Sequence, residues 1–258
     1  MKTIDLAFQR LGEDGPALLI LHGLFGCGRN WNSLARKLAE NFRVILPDLR
    51  NHGASGHSTE MDYPHLAADL VRLLDREGID SATVIGHSMG GKVAVWLALT
   101  EPARIARLAA VDIAPVRYEH DFDSIIFAMA GLRLDEIQNR ADADERLSQS
   151  IPEPGLRRFL MQNLVFDQGR YRWRIDLGLI QQAMHRLLDF PSPECRPGYP
   201  GKALFIGGAC SRYLLNDHLE SIHRFCPSAR LEFVPDAGHW VHVDQAERFF
   251  DILNRFLT

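Results

Sequence analysis

The chain is predicted to be an α/β protein with a doubly wound, mostly parallel sheet and helices on both faces. Three observations predict it. Short, nearly continuous apolar runs recur along the chain; amphipathic stretches lie between them; and the rhythm is broken once, over 118–197, by helix-like pieces. Strands buried on both faces read as unbroken apolar runs, and alternation with helices is the pattern of a parallel sheet.

The runs come in order as 17–22 (ALLILH), 42–46 (FRVIL), 82–86 (ATVIG) and 105–112 (IARLAAVD). Helices are expected between them at 31–40, 63–77 and 91–100, the last stopped by Pro102. In 63–77, Leu66, Leu70, Leu73 and Leu74 share one face, with Asp69, Arg72, Asp75 and Arg76 around the rest. From 118 helices are expected at 123–130, 154–164 and 177–188, with a possible hairpin at 167–174. After a Pro-rich break at 191–200 the alternation resumes: strand 203–206 (ALFI), helix 214–225, strand 231–234 and helix 245–256. Two halves of one sheet, 1–117 and 198–258, therefore flank a helical lid at 118–197. There is no internal repeat and no low-complexity tract.

With 258 residues, 46% hydrophobic and 24% charged, the chain can bury one core, and disorder, collagen and coiled coil are excluded. A net charge of −4 gives no footprint for a phosphate backbone, so no nucleic-acid partner is expected. No window reaches the ~20 apolar residues that span a bilayer, and the N-terminus lacks a signal-peptide core; the expectation is a cytoplasmic protein without stable membrane insertion. Cys27, Cys195, Cys210 and Cys226 are scattered, which suggests free thiols rather than a disulfide framework or zinc site. The oligomeric state is not legible.

The sharpest local signal is Gly86-His87-Ser88-Met89-Gly90, a G-x-S-x-G between an apolar strand and a helix. A turn this tight strains the serine and leaves its hydroxyl exposed at a helix N-terminus, and flanking glycines remove the side chains that would clash. A serine hydroxyl needs a base. His239, in Asp236-Ala237-Gly238-His239-Trp240 just past the last strand, is the candidate, with His242 as its near competitor. His87 should point away from the serine, and His52, His57 and His65 belong to the loop after the second run or to solvent. A developing oxyanion needs aimed N–H donors. The Met89 amide is one; Leu24, or else Phe25, in His22-Gly23-Leu24-Phe25-Gly26 supplies the other.

The order His22-Gly23, Asp48-x-Arg50-x-x-Gly53-x-Ser55, Gly86-x-Ser88-x-Gly90, Gly238-His239 resembles the α/β-hydrolase superfamily over essentially the whole chain. HGLFG, LRNHGAS, GHSMGGK, VDIAPV and AGHWVH, taken in order, further resemble the YbfF-type esterases, a bacterial branch with relatives among mitochondrial α/β-hydrolase-domain proteins. The resemblance implies an α/β-hydrolase sheet with its lid inserted after the sixth strand, and an ester-cleaving activity.

The acid departs from the superfamily's usual layout. After strand 203–206 the loop reads Gly207-Gly208-Ala209-Cys210-Ser211-Arg212-Tyr213, with serine where a carboxylate is expected; the first carboxylate, Asp217, is already in a helix. Asp112 ends the strand after the nucleophile's and emerges at the same sheet edge, and the YbfF-type resemblance implies the same position. The alternative for Asp112 is a cap on a helix or loop.

The expectation is therefore a serine hydrolase acting on small-molecule carboxylic esters, and thioesters such as acyl-CoA, through an acyl-enzyme. Ser88, His239 and Asp112 are catalytic, Met89 with Leu24 or Phe25 forms the oxyanion hole, and neither metal nor organic cofactor is needed. Asp48 and Arg50 read as structural. Ile125, Ile126, Phe127, Met129, Phe159, Leu160 and Met161 would roof an acyl site or simply pack the lid; Arg170, Arg172, Arg174, Arg157 and Arg158 would meet an anionic substrate or solvent. C–C bond hydrolysis or a lyase reaction on the same triad is the alternative, and a non-catalytic ligand-binding protein a more distant one.

Overall fold

Side chains along a strand alternate between faces, so a strand without polar residues needs cover on both. The computed structural model, which describes residues 1–119, 122–191 and 197–258, provides that cover. The first part of the chain runs β1 (Phe8–Leu11), β2 (Ala17–Leu21), α1 (Asn32–Leu38), β3 (Arg43–Pro47), α2 (Tyr63–Arg76), β4 (Ala82–His87), α3 (Met89–Thr100) and β5 (Ile105–Val111). Next come α4 (Asp123–Ala130), α5 (Arg140–Ser148), α6 (Pro154–Met161), β6 (Leu164–Asp167), β7 (Arg170–Trp173) and α7 (Leu177–Leu188). The last part is β8 (Lys202–Gly208), α8 (Leu219–Phe225), β9 (Arg230–Val234), α9 (Val241–Asp244) and α10 (Ala246–Leu257).

The main sheet has the order β1-β3-β2-β4-β5-β8-β9, parallel except where β1 pairs antiparallel with β3. Leu19, Leu21, Val84, Leu108 and Ala110 face one core with α2 and α3; Leu18, Ile20, Ile85, Ala109 and Val111 face the other with α1 and α10. Ile126, Met129, Leu147, Leu160, Ile180 and Met184, all between β5 and β8, join the first of these cores. Asn139, Glu153 and Asp176 cap α5, α6 and α7 with their side chains, so these short helices have defined starts. Among the described residues no helix is long and apolar enough to cross a membrane.

Several expectations change. The segment expected after a sixth strand follows the fifth. Residues 1–7 form no strand. They lie over α2, where the Ile4 amide donates to Asp69 at 2.8 Å. β1 itself was not anticipated; it is a four-residue edge strand. Neither was α5, whose sequence RADADERLS buries only Ala143 and Leu147 and so shows little periodicity. The expected hairpin is present as β6–β7, with Leu164 starting β6 rather than ending α6. The helix expected at 214–225 is a 3-10 turn, Asn216–His218, followed by α8. Cys195 and positions 192–196 of the Pro-rich break lie outside the described residues, as do 120 and 121.

Asp69 is the instructive correction. Periodicity put it on the solvent face of α2, yet it is 1% exposed. Arg50, 0% exposed, pairs with it in bidentate fashion, Nε to Oδ2 at 2.7 Å and Nη2 to Oδ1 at 2.8 Å. Nη1 also donates to the Glu60 carbonyl, and Nη2 lies 3.4 and 3.3 Å from the carbonyls of Lys2 and His65. Asp48 accepts from the amides of Gly28 and Ala54, each at 2.7 Å, so the Asp48–Gly53 motif holds the loop beside the site. Removing one partner of such a pair strands a buried charge. Asp69→Ala is expected to lower the free energy of unfolding by about 3–5 kcal/mol, read from the urea midpoint; an unchanged midpoint would refute this account of the pair.

Candidate active site

The strand ends that carry the site are neighbours in the sheet, and the sheet's hydrogen bonding continues past them. The Ser88 amide donates to the Val111 carbonyl at 3.0 Å, and the Asp112 amide to Ile206 at 2.8 Å. Ser88 adopts φ +52°, ψ −120° between β4 and α3, a conformation costing roughly 1–3 kcal/mol that survives only where the surroundings impose it. A Cβ at Gly86 would run into the Gly90 carbonyl oxygen, and one at Gly90 would lie 2.6 Å from that of His22. Only glycine lets strand, elbow and helix close together here.

Asp112 is 0% exposed and also has positive φ, +50°. Its Oδ1 accepts from the Gly208 amide at 3.0 Å; its Oδ2 accepts from the Ser211 hydroxyl at 2.5 Å and lies 2.7 Å from His239 Nδ1. A carboxylate can only accept, so Nδ1 carries the imidazole proton and Nε2 is left to take one. Ser211 stands in the loop after β8 where a carboxylate was expected, and sequence reasoning missed the part the structure gives it: a donor to Asp112. The His239 loop is held from three sides. Gly238 N–H donates to Asp244 at 2.8 Å, His87 Nε2–H donates to the His239 carbonyl at 2.8 Å, and the Tyr213 ring stacks on the imidazole at 4.1 Å between centroids. No residue pattern announced Tyr213.

Ser88 and His239 line one cleft of about 190 Å³ together with Leu24, Phe159 and Trp240. A narrower pocket opens from Ser88 toward Ile113, Tyr118, Met184 and Leu187. Of the predicted roof, Ile125 and Phe159 line the cleft; Ile126, Met129, Leu160 and Met161 are buried in packing, and Phe127 is 63% exposed. Arg157 is paired with Asp144 and Arg172 with Asp167, and none of the five arginines borders either cavity. Lys92, one turn from Ser88 on the inner pocket wall, donates to the carbonyls of Leu188 and Asp189 at 3.0 and 2.9 Å. Burial pushes its ammonium down to about 7.

The loop after β2 corrects another expectation. Phe25 N–H donates to His52 Nε2 at 3.1 Å and is therefore engaged within the protein, whereas Leu24 lies on both cavity walls. His242, the competing base, lies outside the cleft lining, stacked on Trp31 at 4.0 Å, with its Nδ1 buried and unpartnered among the described residues. His22 and His52 act as fixed acceptors: His22 Nε2 takes the Leu49 amide at 2.9 Å, and the Nδ1–H groups donate to Gly23 and Arg50 carbonyls. Burial pushes the pKa of His22 down to about 4 and that of His52 to about 3. Both are neutral when folded, whereas the unfolded chain protonates them near pH 6.5. Below that the unfolded state binds more protons, so stability is complete above about pH 6.5 and is lost as pH falls toward 4. Each histidine should contribute up to about 1.4 kcal/mol per pH unit in that window. A urea midpoint flat between pH 6.5 and 5 would contradict this.

Comparison with known proteins agrees with this architecture. Residues 16–246 match the family described as alpha/beta hydrolase fold. The chain is 39% identical to the sn-1-specific diacylglycerol lipase ABHD11 of Xenopus tropicalis, covering 99% of this chain and 83% of that protein. It is 34% identical to Esterase YbfF of Escherichia coli K12, covering 97% and 96%. Among solved structures, a marine microorganism esterase superposes with a TM-score of 0.95 at 34% identity, covering 98% of this chain and 100% of that one. The chain thus belongs to the α/β-hydrolase superfamily, in the branch that contains the YbfF-type esterases.

Proposed function

We propose that the protein is a serine hydrolase cleaving carboxylic esters, and acyl thioesters such as acyl-CoA, through an acyl-enzyme. The observation that carries this reading is the 2.7 Å contact between His239 Nδ1 and Asp112, with Ser88 held at φ +52° on the wall of the cleft that His239 also lines. Ser88 Oγ attacks the acyl carbon while His239 Nε2 takes its proton, and Asp112 orients the imidazole and stabilises the imidazolium. Charge building on the carbonyl oxygen is met by the amides of Met89 and Leu24, since that of Phe25 is engaged by His52. His239 then protonates the leaving group and activates the water that frees Ser88. These steps use side chains and backbone amides alone.

Residues 118–197 act as the lid over a core made of 1–117 and 198–258. The acyl chain enters the narrow pocket beside Met184 and Leu187, and the alcohol or thiol part leaves by the wider cleft. A diacylglycerol, the substrate of the Xenopus relative, fits an apolar acyl pocket of this kind.

The test is hydrolysis of p-nitrophenyl esters from acetate to palmitate, with acyl-CoA alongside. Ser88→Ala should abolish turnover, and Asp112→Asn should lower kcat by about 10³–10⁴-fold. Asp217→Asn should stay near wild type. Turnover surviving in Asp112→Asn but lost in Asp217→Asn would return the acid to the superfamily's usual strand. A wild type inactive on every ester would favour C–C bond cleavage or a lyase reaction.

A further inference from the structure

The segment between β5 and β8 contributes one side chain to the oxyanion loop. Asn163, 2% exposed and situated between α6 and β6, donates from Nδ2 to the Phe25 carbonyl at 2.8 Å. Its own placement is fixed by the backbone: its amide donates to Leu160 at 3.0 Å and its carbonyl accepts from Arg174 at 2.8 Å. The preceding residue makes a second bridge, with Asn30 Nδ2 donating to Gln162 Oε1 at 2.7 Å. Phe25 is a buried aromatic residue at φ +62°, a conformation that side chains of this size avoid. Something must hold it there. His52 takes its N–H, Asn163 its carbonyl, and Phe122 approaches its ring at 6.3 Å between centroids. The peptide unit that carries the Leu24 amide is held on its other side through the Gly23 carbonyl, which accepts from Gly26 N–H at 3.0 Å and from His22 Nδ1–H at 2.8 Å, so the clamp on Phe25 fixes the chain immediately after Leu24.

We propose that Asn163 is a positioning residue for the reaction: by holding the Phe25 carbonyl it aligns the Leu24 amide, so the oxyanion hole is complete only while the segment between β5 and β8 is seated. This rests on the serine-hydrolase reading above. Asn163 is far from Leu24 in sequence, and nothing in the residue pattern connects them. A misaimed donor in an oxyanion hole loses transition-state stabilisation while leaving ground-state binding nearly intact.

Asn163→Asp, which keeps the shape but sets an acceptor against the carbonyl, and Asn163→Ala test this in the full-length protein. Rate constants are referred to the Ser88 titrated by a fluorophosphonate, so any misfolded fraction drops out. The expected result is a fall in kcat of roughly 10–100-fold on the best p-nitrophenyl ester, with KM within about threefold of wild type. Inhibition by the matching trifluoromethyl ketone, whose oxyanion occupies the same hole, should weaken by a similar factor. Wild-type kcat per titrated serine in both variants, or a change confined to KM, would overturn the proposal and leave the serine mechanism intact. A wild type that the fluorophosphonate does not label at Ser88 would overturn both.

Discussion

The site depends on the parallel ladder joining β4, β5 and β8. The ladder does not stop where the strands stop: it takes the Ser88 amide to Val111 and the Asp112 amide to Ile206. Two residues that need strained backbone therefore stand side by side on a support that neither supplies. The support is rigid because each strand is apolar and covered on both faces, so a shift in register would move buried side chains of both cores together.

Strain collects where that support ends. Phe25, Ser88, Asp112 and Asp236 are non-glycine residues with positive φ, and all four lie in the turns that border the cleft. Such conformations persist only when several neighbours impose them, and the neighbours are identifiable: His52 and Asn163 for Phe25, the close glycines for Ser88, Gly208 and Ser211 for Asp112. Much of this scaffold is neutral imidazole. His22 and His52 each accept a backbone amide with one ring nitrogen and donate to a carbonyl with the other, a pattern that protonation would break. Burial and the accepted amide favour the neutral ring, while the carbonyl that each Nδ1–H donates to acts in the opposite direction and is outweighed by burial.

Much of the fold was legible because its signals are local. The apolar runs marked six of the seven strands of the main sheet, and the α2 periodicity located its core face. What escaped had weak or contrary signals. β1 is a short edge strand, α5 is nearly all polar, and Asp69 looked solvated because its burial depends on Arg50, nineteen residues earlier in the chain. In the site, the serine elbow could be read from its glycine spacing together with its place between an apolar strand and a helix, since glycine is demanded there by close backbone approach. The part expected of Asp112 rested on a serine standing where the usual acid was missing, on the sheet edge its strand shares with Ser88, and on the YbfF-type resemblance.

By itself, the sequence determined the class of sheet and the elbow at Ser88, because these follow from periodicity and from steric demands within a few residues; the part expected of Asp112 came from the sheet edge it shares with Ser88 and from the family resemblance. Only the tertiary structure decided which neighbours those groups meet. It committed the Phe25 amide to His52, turned Ser211 toward Asp112, stacked Tyr213 on His239 and brought Asn163 to the Phe25 carbonyl. These are contacts between distant parts of the chain, set by how the layers pack, and a hydrogen bond across such a distance leaves no periodic trace in either partner's sequence.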